Sequence, residues 1–141
     1  MDVKYMRIAL KQAVRALKND DVPVGAIIVK DNKIIARAYN KKEKTRDVTN
    51  HAEIIAIKKA CKVLKDWRLN ECILYVTLEP CLMCLGAIIQ SRIGKVVYGA
   101  KNEGLDYDVL NMDHFQIVGP ILEEESARLL KDFFKNRRRL E

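Results

Sequence analysis

Long apolar runs are missing from this 141-residue chain. No stretch approaches the roughly 20 apolar residues that a bilayer-spanning helix needs, and the charged, amphipathic start has no apolar core of the kind a secretion signal carries. Cysteine is too sparse for a disulfide framework, at four residues. No second C-x-x-C accompanies Cys81 and Cys84, which argues against a closed four-thiolate zinc ribbon. Internal repeats, low-complexity tracts and interdomain linkers are absent as well. What remains is one domain over residues 1–141, 49% hydrophobic, long enough to bury one core and too short for two ordinary ones. The expected compartment is a reducing cytoplasm, with no membrane as partner.

Histidine is scarce too, at two residues, yet one of them lies in the most chemically loaded part of the chain. His51-Ala52-Glu53 is followed, 28 positions after His51, by Glu79-Pro80-Cys81-Leu82-Met83-Cys84. One imidazole and two thiolates are three ligands for a tetrahedral zinc, and the fourth position stays open for water, which separates a catalytic site from a structural one. Zinc in such a site lowers the pKa of its water to roughly 7. Glu53 is not needed as a ligand and is the candidate general base and then general acid. Cys81 and Cys84, at i and i+3, share one face of a helix's first turn, where unpaired N–H groups favour thiolates and Pro80 suits the helix start. His51 and Glu53 diverge in mid-helix and fit best at another helix N-terminus. The expectation is two helix starts meeting at one zinc ion per chain. A lone C-x-x-C also fits a redox pair; the added His51 and Glu53 favour the metal. Cys61 and Cys72, inside apolar patterns, read as small buried hydrophobes.

Met6, Leu10, Ala13, Val14 and Leu17 recur at helical spacing and predict a helix over 3–18. Two short runs, Ala26 to Val29 and Ile34 to Ala38, joined by Asp31-Asn32, predict a β-hairpin. Helices follow over 51–64 and 81–90, with strands at Ile73 to Leu78, Lys95 to Tyr98 and Ile117-Val118. A last helix over 122–138 is acidic early and basic late, as its dipole favours. Residues 101–116 read as a loop and short helix beside the site. Strands interleaved with helices predict an α/β fold, a three-layer α/β/α sandwich around a mixed five-stranded sheet.

The H-x-E…P-C-x-x-C pattern resembles that of the cytidine and deoxycytidylate deaminase superfamily. The nearer resemblance is to the bacterial tRNA-specific adenosine deaminases, which convert a wobble adenosine to inosine. It runs in order through Val22-Pro23-Val24-Gly25-Ala26, Tyr39-Asn40, His51-Ala52-Glu53-Ile54, Tyr75-Val76-Thr77-Leu78-Glu79-Pro80-Cys81, Ser91-Arg92-Ile93-Gly94-Lys95-Val96-Val97-Tyr98-Gly99-Ala100, Gly119-Pro120-Ile121-Leu122 and Phe133-Phe134. The resemblance implies a cytidine deaminase-like fold and a homodimer. It also implies a base or sugar contact from Asn40, a purine contact from the Ala52 amide, and an anticodon-loop contact from the region of Phe134. Two stretches depart from that family. Lys101-Asn102-Glu103-Gly104-Leu105-Asp106-Tyr107 puts Asn102 where the family has an acid and shortens the loop. Asp47-Val48-Thr49-Asn50 replaces Asp-Pro-Thr-Ala and adds an amide beside His51. Both bear on specificity and leave the metal and proton transfer untouched.

The formal net charge of +7 favours a polyanion. Lys41, Lys42, Lys44 and Arg46 crowd the stretch before His51, and Lys62, Lys65 and Arg68 follow; as a basic rim they would hold phosphates while a base enters the pocket. The same run also fits an ordinary solvated loop. Arg137, Arg138 and Arg139 are favoured at a helix C-terminus even without a ligand. The candidate RNA contacts are thus Lys41, Lys42, Lys44, Arg46, Asn102, Phe134 and Arg137.

The leading reading is hydrolytic deamination of adenosine to inosine in RNA, at the wobble position of a tRNA anticodon stem-loop or in other single-stranded nucleic acid. A free nucleobase or nucleoside deaminase acting on cytosine, guanine or a related molecule is the alternative, and a non-catalytic zinc-stabilised RNA-binding module the second. Glu53 beside an open coordination position argues against the last.

Overall fold

The computed structural model describes residues 1–105 and 115–140, the last three as backbone alone. The helix α1 (Asp2–Ala16) ends in a 3-10 turn, Leu17–Asn19, and leads to the hairpin β1 (Gly25–Lys30) and β2 (Lys33–Tyr39). A one-turn helix α2 (Lys42–Thr45) precedes α3 (Ala52–Leu64). A strand–helix unit follows, β3 (Cys72–Leu78) with α4 (Leu82–Gln90), then β4 (Lys95–Ala100), with β5 (Gln116–Val118) and α5 (Glu123–Leu140) closing the chain. The two-residue turn at Asp31 and Asn32 has positive φ at both positions, 51° and 62°, the conformation that matches the twist of a tight hairpin and that Asp and Asn tolerate.

The five strands lie in the order β2-β1-β3-β4-β5. β1 is antiparallel to both β2 and β3, whereas β3, β4 and β5 run parallel, so only β1 opposes the rest. The carboxyl ends of β2, β3 and β4 therefore share one edge of the sheet, where ligands collect in open α/β folds. Period-2 alternation divides the core into two layers. Ala26, Ile28, Leu74, Val76 and Val96 face Ala52, Ala56 and Ala60 of α3 and Leu85 and Ile88 of α4. Ile27, Val29, Tyr75 and Val97 face Tyr5, Met6 and Ala9 of α1. The alanine stripes bring α1 and α3 close to the sheet. At Gly25 a Cβ would meet the Ala9 carbonyl and the Ala13 amide, and at Gly99 it would meet Ser126 of α5. Glycine is thus required by contact with helix backbone at the first position.

The five strands and the main helices fall where periodicity puts them, with ends shifted by one or two residues. Two local readings change and a third falls largely outside the described residues. The stretch before His51 is not all loop, since it contains α2. Pro80 stands outside α4, because Cys81 is the N-cap. Most of the loop and short helix expected over 101–116 falls at 106–114, outside the described residues, as do the side chains of Arg138 and Arg139. Cys72 is buried and Cys61 half-buried with its thiol on the Trp67 carbonyl; burial pushes both thiols up, and neither is paired.

Candidate active site

Two helix N-termini converge at the carboxyl edge of the sheet. His51 is the N-cap of α3 and Cys81 the N-cap of α4, both with extended backbone and neither making a side-chain capping hydrogen bond. The positions that usually hold a capping Ser or Asp instead send an imidazole and a thiol toward each other. Cys84, one turn into α4, is fully buried beside them. His51 Nδ1 lies 3.6 Å from Cys81 Sγ and 3.5 Å from Cys84 Sγ. With zinc–sulfur near 2.3 Å and zinc–nitrogen near 2.0 Å, the nitrogen–sulfur edge of a tetrahedron is about 3.5 Å, so the donor set fits zinc without rearrangement. Among the described residues these three are the group that could hold a metal.

The electrostatics fit the same role. Cys81 is held down to about 4, chiefly by the hydrogen bond from the Cys84 thiol and then by His51, against the cost of burial. The thiolate beside Cys84 and its burial push that thiol up, so before a metal enters the pair shares one negative charge. His51 is raised by its bond to Cys81, against burial. Glu53, one residue into α3 beyond Ala52, is 4% exposed, and burial pushes its carboxyl up to about 7. A carboxyl poised there can both accept and donate a proton near neutral pH, the property a general acid–base group needs.

Asn40 leaves the end of β2 and spans the gap to α3: its Oδ1 accepts the Ala52 N–H at 2.7 Å. The bond satisfies an otherwise orphan donor of the first turn and fixes the helix start that carries His51 and Glu53. The Ala52 amide, an expected purine contact, is thus engaged by Asn40, while Asn40 itself lines the cavity.

The cavity over the metal ligands has a volume of about 380 Å³ and reaches His51, Glu53 and Cys81. Of the lysines and arginine before α3, Lys42 lines it and Lys41, Lys44 and Arg46 do not. Lys41 instead lies over the Tyr39 ring, 4.9 Å from its centroid, and Arg15 shares that ring at 5.2 Å. Lys44 and Arg46 are solvent-exposed on α2 and its C-cap. Asn102 lines the cavity and pins Glu79, with its N–H donating to Oε1 at 3.1 Å and its Nδ2 to the carbonyl at 3.4 Å. Phe133 is buried and Phe134 is 45% exposed at the cavity, edge to face with its neighbour. Arg137 stacks on Phe133 and pairs with Asp20. The extra amide of Asn50 turns to Thr45 Oγ1, at 2.7 Å, within the loop.

Sequence reasoning missed the acids. Asp20, Asp21, Glu43 and Glu79 line the cavity with Glu53, against Lys42 and Arg137 as its cations. The interior is therefore acidic and the excess of positive charge lies outside it. Glu79 stood inside the recognised motif, but Asp20-Asp21 before Val22-Pro23 reads as turn chemistry and carries no signal of a pocket.

Comparison with known proteins gives concordant findings. A family model described as MafB19-like deaminase matches residues 1–138. A tRNA-specific adenosine deaminase of Bacillus subtilis is 42% identical over 98% of this chain and 91% of its own length. One of Aquifex aeolicus is 44% identical over 95% and 94%. A solved structure from work on A-to-I editing by tRNA:A34 deaminases superposes with a TM-score of 0.83 at 39% identity, covering 90% of this chain and 99% of that one. A guanine deaminase of Bacillus subtilis is 44% identical with a TM-score of 0.67, over 70% of this chain and 63% of the other.

Proposed function

The chain belongs to the family of the tRNA-specific adenosine deaminases, and on that footing we propose that it converts adenosine to inosine in RNA, at the wobble position of a tRNA anticodon. The observation that carries the chemistry is the tetrahedral His51, Cys81 and Cys84 edge beside a buried, proton-ready Glu53. Zinc bound to those three residues supplies the Lewis acidity that brings the pKa of a water near 7.

Glu53 takes a proton from the water that adds to C6 and delivers it to ring N1. It then passes the second water proton to the 6-amino group, the C6–N bond breaks, and ammonia leaves with the inosine carbonyl formed. Atoms balance as adenosine plus water giving inosine plus ammonia. Asn40 orients the target nucleoside with its amide while its Oδ1 keeps the α3 start in place. The acidic lining repels phosphate, so a neutral base enters while the sugar-phosphate strand stays outside, met by Lys42, Asn102, Phe134 and Arg137 of the lining and by Lys41, Lys44 and Arg46 around it.

The whole of 1–141 acts as one deaminase domain and works as a homodimer in the cytoplasm, where thiolate ligands stay reduced. Support for the dimer comes from α4, which has no charged residue and exposes Leu82 and Met83. No helix of the described residues is long and apolar enough to cross a membrane. The likeness to a guanine deaminase favours a second reading, turnover of a free base.

The test is single-turnover assay of zinc-loaded protein on an anticodon stem-loop, wild type against Glu53→Gln. Inosine formation lost by about 10²-fold or more, with zinc content unchanged, supports the assignment. Undiminished turnover in the variant overturns it.

A further inference from the structure

One wall of the cavity is held by a residue with no part in the chemistry above. Asp21 follows the 3-10 turn after α1 and is 2% exposed. Its N–H donates to the Ala16 carbonyl at 3.1 Å, which moors it to the end of α1. Both carboxylate oxygens are spent on α2: Oδ1 accepts the Glu43 N–H at 2.7 Å and Oδ2 the Lys44 N–H at 3.4 Å. Having both oxygens engaged, it is not a substrate ligand.

The helix α2 needs such a partner. It has four residues, and its N-cap Lys41 makes no side-chain cap bond. A single helical turn fixes several dihedrals for one hydrogen bond and is unfavourable alone. Asp21 supplies the missing acceptors, with a negative charge at the end of the turn where N–H groups are exposed. Through that turn it carries Lys42 and Glu43 to the cavity. The residue before it does the same for the other wall: the Asp20 carbonyl and Oδ2 take the Arg137 guanidinium at 3.0 and 3.4 Å. Two successive aspartates thus tie α2 and α5 to one corner of the molecule.

We propose that Asp21 is a positioning residue for the substrate: by capping α2 from 22 positions away it fixes Lys42 at the cavity mouth and so sets affinity for a base carried on a nucleic-acid strand. The proposal rests on the RNA reading above. A wild-type enzyme that ignores the anticodon stem-loop would overturn that reading before any variant is made.

The variants are Asp21→Ala, Asp21→Asn, Lys42→Ala and the double Asp21→Ala/Lys42→Ala, each as full-length, zinc-loaded protein. Asp21→Ala is expected to raise KM for the stem-loop about tenfold while kcat stays within about twofold, the pattern of lost binding with intact chemistry. Asp21→Asn keeps the Oδ1 acceptor for Glu43 and recovers most of that loss. In the Asp21→Ala background Lys42→Ala adds little, because residues acting through one element are not additive. Amide hydrogen exchange gives the readout independent of activity: Glu43 and Lys44 lose protection in Asp21→Ala while Ala52 keeps it. An unchanged KM, full additivity with Lys42→Ala, or unaltered exchange at Glu43 and Lys44 overturns the proposal. So does loss of zinc or an equal fall of kcat, which would make Asp21 a residue of general stability.

Discussion

Asn40 and Asn102 are each held at the cavity by a bond to backbone. Asn40 shows this most clearly, since its Oδ1 closes the first turn of α3 and the residue lines the cavity. Asn40→Ala leaves the buried Ala52 N–H unpaired, and the expected destabilisation is about 1–3 kcal/mol in chemical denaturation together with a raised KM. Asn40→Asp keeps the acceptor; its stability should stay near wild type while substrate affinity falls, which separates the two roles. The metal ligands answer to a different measurement. Cys84→Ser removes a buried thiolate that fits one tetrahedral corner, so zinc affinity should fall by orders of magnitude and the apo form should unfold at lower temperature. Zinc retained at wild-type stoichiometry by that variant would remove Cys84 from the ligand set.

At the scale of elements, helix–sheet approach is set by small residues. Gly25→Ala puts a methyl group on α1 backbone at Ala9 and Ala13, which cannot swing aside like a flexible side chain. The expected cost is about 1–3 kcal/mol or more in a denaturation midpoint with unchanged slope; a neutral result would mean that α1 is not seated on β1 as described. The same scale shows what sequence made legible. The helical period of α1 was legible, although Val14 and Leu17 of the expected stripe lie exposed beside the buried face that Met6 and Ala13 share; the paired apolar runs around Asp31-Asn32 were legible as a hairpin and the continuous apolar run of β3 as a strand, because β3 is buried on both faces. The cluster of His51, Cys81 and Cys84 that could hold a metal was legible for another reason: its three side chains lie in two short motifs whose spacing follows from helix geometry. α2 left no trace, since four residues are too few for a period and its cap comes from Asp21, far away in sequence. For the same reason the lysine run read as one basic rim. Folding separates it, turning Lys42 to the cavity and Lys41 onto Tyr39, and brings in acids from three other segments, Asp20-Asp21, Glu53 and Glu79.

The whole molecule combines a net charge of +7 with a cavity whose charged lining is mainly acidic. On the proposed function, that arrangement would admit a neutral base and leave the polyanion on the surface. Stem-loop binding should therefore weaken steeply with salt, with a slope of log affinity near −0.7 for each phosphate neutralised, and Lys42→Ala, which removes one such contact, should make the slope shallower by about 0.7. A flat salt response would favour the free-base reading. The charge-free outer face of α4 predicts a particle of twice the 16.2 kDa chain mass in light scattering, and Met83→Glu should shift it to the monomer.

The most direct test of the central claim is a side-by-side assay of zinc-loaded protein on a tRNA anticodon stem-loop with wobble adenosine and on free adenosine, cytosine and guanine, reading inosine and ammonia. Inosine from the stem-loop with negligible ammonia from the free compounds is the predicted result. Ammonia from a free base and none from the stem-loop would contradict it and make the protein a small-molecule deaminase on the same zinc chemistry.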